Sequence, residues 1–199
     1  MLKSALFVFF IFLFAVSLPA QERILRYDIL HNGEIKGALS LYQNTVGNTT
    51  HIKIESLVKT RFIIRINVES IEEAIFQDGI LIFSSLHRII NGNESVNQQI
   101  QAKGPNYKMT GGTVIKNLPD YPIYYSILSL YYQEPTHINR VYSDNFNQYV
   151  QVSRVAANKY KISFPNGNYN YYTYKNGICT TVDINQTFYS IQFRLNPFP

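Results

Sequence analysis

Short turn dipeptides constrain the fold of this chain more than any other feature of its sequence. They include Asn32-Gly33, Asp78-Gly79, Asn91-Gly92 and Asn176-Gly177, each placed between stretches rich in β-branched and aromatic residues. Such dipeptides favour tight β-hairpins because both central turn positions require a positive φ. Together with further turn signals at intervals of ~8 to 12 residues, they predict an all-β fold. We expect a curved antiparallel meander that forms an open or half barrel.

The clearest strand pattern lies in residues 61–70. Apolar Phe62, Ile64, Ile66 and Val68 alternate there with side chains that are polar except for Ile63. Because successive side chains of a strand point to opposite faces, this stretch predicts one continuous strand with a dry face and a wet face.

A different pattern occupies residues 119–135, where the strand-like alternation stops. One face of a helix would carry the residues at i, i+3, i+4 and i+7, which are Tyr124, Ile127, Leu128 and Tyr131. Pro122 suits a first helical turn, and Pro135 disfavours helical geometry at the residue before it. The sequence therefore predicts a single α-helix at about residues 122–133, packed on the concave face of the sheet.

The first twenty residues have the layout of a secretory signal peptide. Lys3 precedes an apolar run over residues 5–16, and small and turn-forming residues follow up to Pro19-Ala20. We expect cleavage near Ala20, which leaves residues 21–199 as one antiparallel β domain. The expected location is the periplasm or the exterior, with no lipid-anchor cysteine at the junction and no membrane span after cleavage.

Composition narrows the function classes. The formal charge of +5 is spread along the chain without a run of Lys and Arg, so no nucleic-acid partner is expected. Cys179 is the single cysteine, which excludes an intramolecular disulfide, and we interpret it as a buried structural thiol. The four histidines are scattered without a ligand motif, so no metal or other cofactor is predicted.

The carboxylates do not identify a catalytic site by their spacing. Glu72 and Glu73 are adjacent, and adjacent residues in a strand point to opposite faces, which favours a solvated face or a bulge. Glu134 could be a functional acid but is interpreted as structural. The sequence also lacks a nucleophile turn, a phosphate loop and a dinucleotide fingerprint. No catalytic residue is predicted.

Several segments resemble a family of exported Bacteroidota proteins that is a domain of unknown function. The residues that carry the likeness are Tyr27-Asp28-Ile29 with Gly33 and Gly37, residues 128–135, Pro165-Asn166-Gly167, and the YNYYTYKNG block at residues 169–177. The likeness spans the chain after residue 20. The architecture also resembles that of half-barrel lipoprotein carriers of the bacterial envelope. Neither resemblance implies a site residue.

Three functions follow from these patterns, in this order. The first is a non-catalytic binding or carrier module for a hydrophobic small molecule or lipid, bound by Tyr124, Ile127, Leu128 and Tyr131 and opposed by Phe62, Ile64 and Ile66. The same residues could instead form a filled core. The second is an envelope module that contacts a protein or glycan partner through the aromatic strand at residues 169–174. A hydrolase-type enzyme is third.

Overall fold

A computed structural model describes residues 21–61, 65–111, 114–118, 122–187 and 189–197. In these ranges the chain forms fourteen strands and one 3-10 helix at Ile127–Tyr131. The strands are β1 (Gln21–His31), β2 (Glu34–Val46), β3 (Thr49–Arg61), β4 (Arg65–Gln77), β5 (Ile80–Ile90), β6 (Asn93–Lys103), β7 (Asn106–Gly111), β8 (Val114–Leu118), β9 (Arg140–Ser143), β10 (Gln148–Ala156), β11 (Lys159–Ser163), β12 (Tyr169–Lys175), β13 (Ile178–Asn185) and β14 (Ser190–Leu195). The predicted signal peptide lies outside the described residues.

All fourteen strands belong to one antiparallel sheet. Its order is β8-β7-β6-β5-β4-β3-β2-β1-β14-β13-β12-β11-β10-β9. The two halves of the chain meet where β1 pairs with β14, with Tyr27 opposite Leu195 and Ile29 opposite Phe193. The prediction of an all-β, open antiparallel sheet is confirmed.

The hairpin dipeptides adopt the geometry that their sequence requires. Asn32 and Gly33 have φ values of 52° and 80°, and Asn176 and Gly177 have 52° and 77°. Consecutive positive φ angles identify type I′ turns, whose twist matches that of the flanking strands. These turns fix which strands are neighbours.

The sheet curls until distant strands face each other. The turn between β9 and β10 contacts β5 and β6, although several strands separate them in sheet order. The Ser84 hydroxyl of β5 donates to Asp144 Oδ1 at 2.5 Å, and the Gln98 amide of β6 donates to the Asp144 carbonyl oxygen. The concave face therefore encloses the core.

Tyrosines form much of this core and turn their hydroxyls onto backbone carbonyls. The Tyr27 hydroxyl donates to the Cys179 carbonyl at 2.5 Å, and the Tyr174 hydroxyl donates to the Leu130 carbonyl at 2.8 Å. A buried tyrosine combines a large apolar ring with a hydroxyl that needs such a partner. The Tyr174 bond fixes the 3-10 helix to the inside of the sheet, and the Tyr27 bond links β1 to β13.

The predicted α-helix at residues 122–133 is wrong in length and type, because only the five-residue 3-10 helix forms. Before it the backbone hydrogen-bonds to strands. The Ile123 carbonyl accepts from Leu81 N–H, and the Tyr125 carbonyl accepts from Tyr142 N–H, both at 2.8 Å. These bonds to β5 and β9 replace the intrahelical bonds that an α-helix would make, so tertiary pairing outweighs the helical spacing.

The predicted continuous strand over residues 61–70 is also wrong. β3 ends at Arg61 and β4 begins at Arg65, and these two residues are antiparallel partners. Alternation shows which face a side chain takes but not the direction of the chain, so the sequence pattern did not reveal the reversal. Phe62 and Ile64 lie outside the described residues, as does the side chain of Ile66.

Candidate functional site

A cavity of about 610 Å³ lies inside the curled sheet and is partly open to solvent. Its apolar wall consists of Leu39, Ile54, Val58, Val68, Ile90, Ile127, Leu128, Phe146, Phe164, Ile184, Ile191 and Phe193. Strand periodicity builds this wall, since Ile54, Ser56 and Val58 of β3 point inward in succession. The opening in the core is therefore lined from both halves of the sheet.

A charged pair interrupts this apolar wall. Arg88 Nη2 lies 3.4 Å from Glu72 Oε1, and Arg88 Nη1 donates to Asn145 Oδ1 at 3.2 Å. The Glu72 and Arg88 side chains are only 24% and 26% exposed. Partly buried charges of this kind are retained when they are paired, because removing either partner leaves the other charge uncompensated.

Asp144 is a second carboxyl on the cavity wall and is more deeply buried, at 6% exposure. Burial raises its pKa from 3.8 to about 7, the Ser84 hydrogen bond opposes that rise, and the charge of Glu72 adds to it. Removal from water disfavours the ionised form of a carboxyl. Asp144 is thus poised between its two protonation states near neutral pH.

Asn170 and Tyr172 of β12 also line the cavity. Asn170 is 8% exposed, and its Oδ1 atom has no hydrogen-bond partner among the described residues. Burial raises the pKa of Tyr172 above its usual range, while the Asn170 side chain acts in the opposite direction and Glu72 reinforces the rise. Glu72 therefore acts electrostatically on both Asp144 and Tyr172.

Tyr131 joins this polar region to the core. Its ring packs edge-to-face against Tyr27 and Tyr172, with centroid separations of 5.5 and 6.0 Å. Burial also holds the pKa of its hydroxyl well above the usual range. Edge-to-face packing of this type fixes ring orientation and leaves little freedom at the cavity wall.

The predicted ligand-binding residues separate into two groups. Ile127, Leu128 and Tyr131 lie on the cavity wall. Tyr124 is 52% exposed and is not among the lining residues, because it lies before the 3-10 helix and outside any helix or strand. Whether any of these residues contacts a ligand remains a prediction.

Other candidate groups have structural partners. Cys179 is fully buried, and burial raises the pKa of its thiol to about 12. Glu134 Oε1 accepts a hydrogen bond from the Tyr160 hydroxyl at 2.9 Å. Within the ranges that the structure describes, no group of His, Cys, Asp and Glu side chains could hold a metal ion.

The aromatic strand β12 is not a sheet edge, because β11 and β13 pair with it on either side. Tyr172 and Tyr174 are buried, whereas Tyr169 and Tyr171 lie on the outer face. Lys161 Nζ lies 4.4 Å from the Tyr169 ring centroid, and Lys159 Nζ lies 4.9 Å from that of Tyr171. Main-chain addition of a partner at this strand is therefore blocked.

Sequence reasoning missed Arg88 and Asp144 and placed Glu72 on a solvated face or in a bulge. A usable signal was present for Glu72, because it shares the inward face with Val68 and Ser70. A charge in the inward register of a strand indicates a functional or paired group. Asp144 gave no such signal, since its burial results from the curl of the sheet.

Comparisons with known proteins agree with this architecture. A family model described as a domain of unknown function, DUF6134, matches residues 27–196. The fold is similar to the crystal structure of a beta-barrel-like protein of the DUF1849 domain of unknown function from Brucella abortus. That protein is 11% identical with a TM-score of 0.52, and the alignment covers 90% of this chain and 96% of that one. No curated protein matches the chain. At this identity the likeness concerns the fold alone.

Proposed function

Because the chain belongs to the DUF6134 family, a domain of unknown function, we propose from its own geometry that it is a non-catalytic binding or carrier module for a hydrophobic ligand. The observation that carries the proposal is the cavity of about 610 Å³ inside the sheet. Pockets for small molecules commonly have volumes of roughly 300 to 1,000 Å³, with apolar walls and a few placed polar groups. The cavity has all of these properties.

The combination of apolar and polar groups in the lining suits an amphipathic ligand. Apolar side chains from β3, β4 and the 3-10 helix would surround an alkyl or ring system, and each buried methylene contributes about 0.8 kcal/mol. Glu72, Arg88 and Asp144 supply a polar region on the same wall. Such a division favours binding of one molecule in one orientation.

The contacts of the polar groups favour binding over catalysis. Arg88 contacts Glu72 and Asn145, and Asp144 accepts from Ser84, so each group has a partner that orients it. A nucleophile activated by an adjacent base would be required for covalent hydrolysis. The one cysteine, Cys179, has a raised pKa and does not line the cavity.

We further propose that the protein acts in the periplasm or outside the cell. The support is the sequence of residues 1–20, with Lys3, the apolar run and the Pro19-Ala20 junction. The described residues contain no helix of the length and apolarity needed to cross a bilayer. An exported carrier would meet its ligand in the envelope.

Mass spectrometry of protein purified from its native host, without added lipid or detergent, tests both proposals. Intact mass under denaturing conditions should correspond to a chain that starts near Gln21. Under native conditions the same protein should carry one additional molecule, which organic solvent extracts. A mass that retains residues 1–20 would contradict export alone.

Two tryptophan substitutions on adjacent residues provide the matched comparison. Val58 lines the cavity, whereas its neighbour Leu57 is 42% exposed on the other face of β3. Val58→Trp should fill part of the cavity and lose the bound molecule, and Leu57→Trp should retain it. Wild-type protein that is free of any extractable molecule would contradict the carrier function.

A further inference from the structure

The polar region of the cavity has an imbalance of charge. Among the described lining residues, the ionisable acids are Glu72 and Asp144, and the one basic side chain is Arg88. Lys and His side chains do not contribute to the described wall. When both carboxyls are ionised, the lining therefore carries one more negative charge than positive charge.

The Arg88 guanidinium already has partners within the protein. Its two terminal nitrogens contact Glu72 Oε1 at 3.4 Å and Asn145 Oδ1 at 3.2 Å. An anionic ligand at Arg88 would have to share the guanidinium with Glu72 in a partly buried site. Like charges in such a site repel strongly because water screens them poorly.

Among the described lining residues, Asp144 is the carboxyl without a cation in contact with it. Its side-chain hydrogen-bond partner is the neutral Ser84 hydroxyl, and the nearby charge that acts on it is the negative Glu72. A buried carboxylate in this setting gains stability from a positive charge brought close to it. A cationic ligand would supply that charge.

Asn170 provides an independent indication of a missing donor. Its side chain is more than nine-tenths buried and lines the cavity, and its Oδ1 acceptor is unpaired among the described residues. Buried polar atoms are nearly always hydrogen-bonded in folded proteins. The amide oxygen is therefore available to a hydrogen-bond donor of a ligand.

We propose that this polar region binds the protonated amine of a cationic amphiphile, whose apolar part lies along the wall around Val58 and Leu128. An ammonium group has hydrogen-bond donors and no acceptor, which suits the Asp144 carboxylate and Asn170 Oδ1. A carboxylate or phosphate headgroup would instead add a negative charge next to two acids. This inference rests on the proposed ligand-binding function and specifies its ligand class.

Competition with an uncharged fluorescent apolar probe tests the headgroup. Dodecylamine, 1-dodecanol and dodecanoate share a chain length and differ in the charge of the polar end. At pH 7.5 the recombinant chain without residues 1–20 should bind the amine about tenfold more tightly than the alcohol or the acid, as one charge-assisted contact implies.

Two variants separate the headgroup contacts from the apolar wall. Asp144→Asn should reduce the preference for the amine over the alcohol to about twofold or less. Asn170→Leu should lower amine affinity by a smaller factor. Glu34→Gln removes the same charge at an exposed surface position outside the cavity, so the preference should persist in that control.

The outcomes distinguish this proposal from the carrier function. Equal affinity for the three compounds, or preference for dodecanoate, would overturn the amine proposal and leave hydrophobic binding intact. Failure of the uncharged probe itself to bind the wild-type protein would overturn both the amine proposal and the carrier function. If both Asp144→Asn and Asn170→Leu still preferred the amine, the ammonium group would bind at some other position and the proposed headgroup contacts would be wrong.

Discussion

Asp144 shows how a single side chain can link the fold to the proposed site. Its burial depends on the contact between the β9–β10 turn and Ser84 of β5. Burial raises the pKa of the carboxyl to about 7. The protonation of this one carboxyl therefore depends both on the contact that curls the sheet and on the charges in the cavity.

The raised pKa predicts an unusual pH dependence of stability. In the unfolded chain Asp144 loses its proton near its ordinary pKa of 3.8, whereas in the folded chain it holds the proton up to about pH 7. Between these values the folded state binds more protons, so the free energy of unfolding falls as pH rises from about 4 to 7. Above pH 7 the full penalty of a buried charge is present.

Asp144→Asn should therefore stabilise the protein at pH 8, by on the order of 4 kcal/mol. The difference from wild type should vanish below about pH 4. Urea unfolding of both proteins at several pH values measures this difference in the free energy of unfolding. Glu34→Gln is the control, because Lys36 lowers the pKa of that exposed carboxyl and its removal should give no gain at pH 8. A variant less stable than wild type at pH 8 would show that the Asp144 carboxylate is stabilised in the fold.

At the residue scale, three of the four ligand-binding residues proposed from the sequence line the cavity. Ile127, Leu128 and Tyr131 lie on the cavity wall, and their apolar character was the basis for expecting them on an inward face. Tyr124 was misplaced since its face depended on helical geometry that does not form. Asp144 was missed because its surroundings come from strands far away in sequence, and local pattern contains no information about them.

At the scale of elements, turn chemistry was the most reliable guide. Dipeptides such as Asp78-Gly79 and Asn91-Gly92 specify their own backbone angles, so hairpins were correctly placed from local sequence alone. The segment at residues 122–133 was predicted less well. Its helical spacing competes with hydrogen bonds to Leu81 and Tyr142, which only the assembled sheet provides.

Gly37 shows how tightly β2 and β3 approach each other. A Cβ atom at this position would overlap the Leu57 carbonyl oxygen and would lie 2.9 Å from the Val58 Cα atom. The β1–β2 register also shifts beside it, between Ile29 and Leu30. The absence of a side chain at Gly37 is therefore a steric requirement of this pairing.

We predict that Gly37→Ala destabilises the fold by about 1 to 3 kcal/mol, because the new methyl group collides with backbone that cannot rotate away. Ser40→Ala on the same strand is the control and should change stability by less than about 0.5 kcal/mol. Chemical denaturation of both variants measures the effect. A stability of Gly37→Ala equal to that of the control would mean that β3 can move aside.

At the scale of the whole molecule, one curled sheet supplies most of the core and most of the cavity wall. The β1–β14 pairing joins the two halves, and the contact of the β9–β10 turn with β5 and β6 curls the sheet around its concave face. The sequence predicted the meander but not how far it curls. Curvature depends on the accumulated twist of many strands and on long-range contacts, which no local pattern specifies.

The curl leaves space that the 3-10 helix does not fill. The 3-10 helix at Ile127–Tyr131 contributes to the wall of this space, and a cavity of about 610 Å³ remains. The sequence left open whether these residues form a filled core or a ligand cavity. Because the structure contains a cavity, the question is now what occupies this space.

Direct titration of the purified recombinant chain, residues 21–199, with an uncharged fluorescent apolar probe answers that question. The account predicts saturable binding of one probe per chain, loss of binding in Val58→Trp, and unchanged binding in Leu57→Trp, since only the first side chain lines the cavity. Circular dichroism confirms that both variants retain the sheet. Absence of saturable binding to the folded wild-type protein, or equal binding by the two tryptophan variants, would contradict the account.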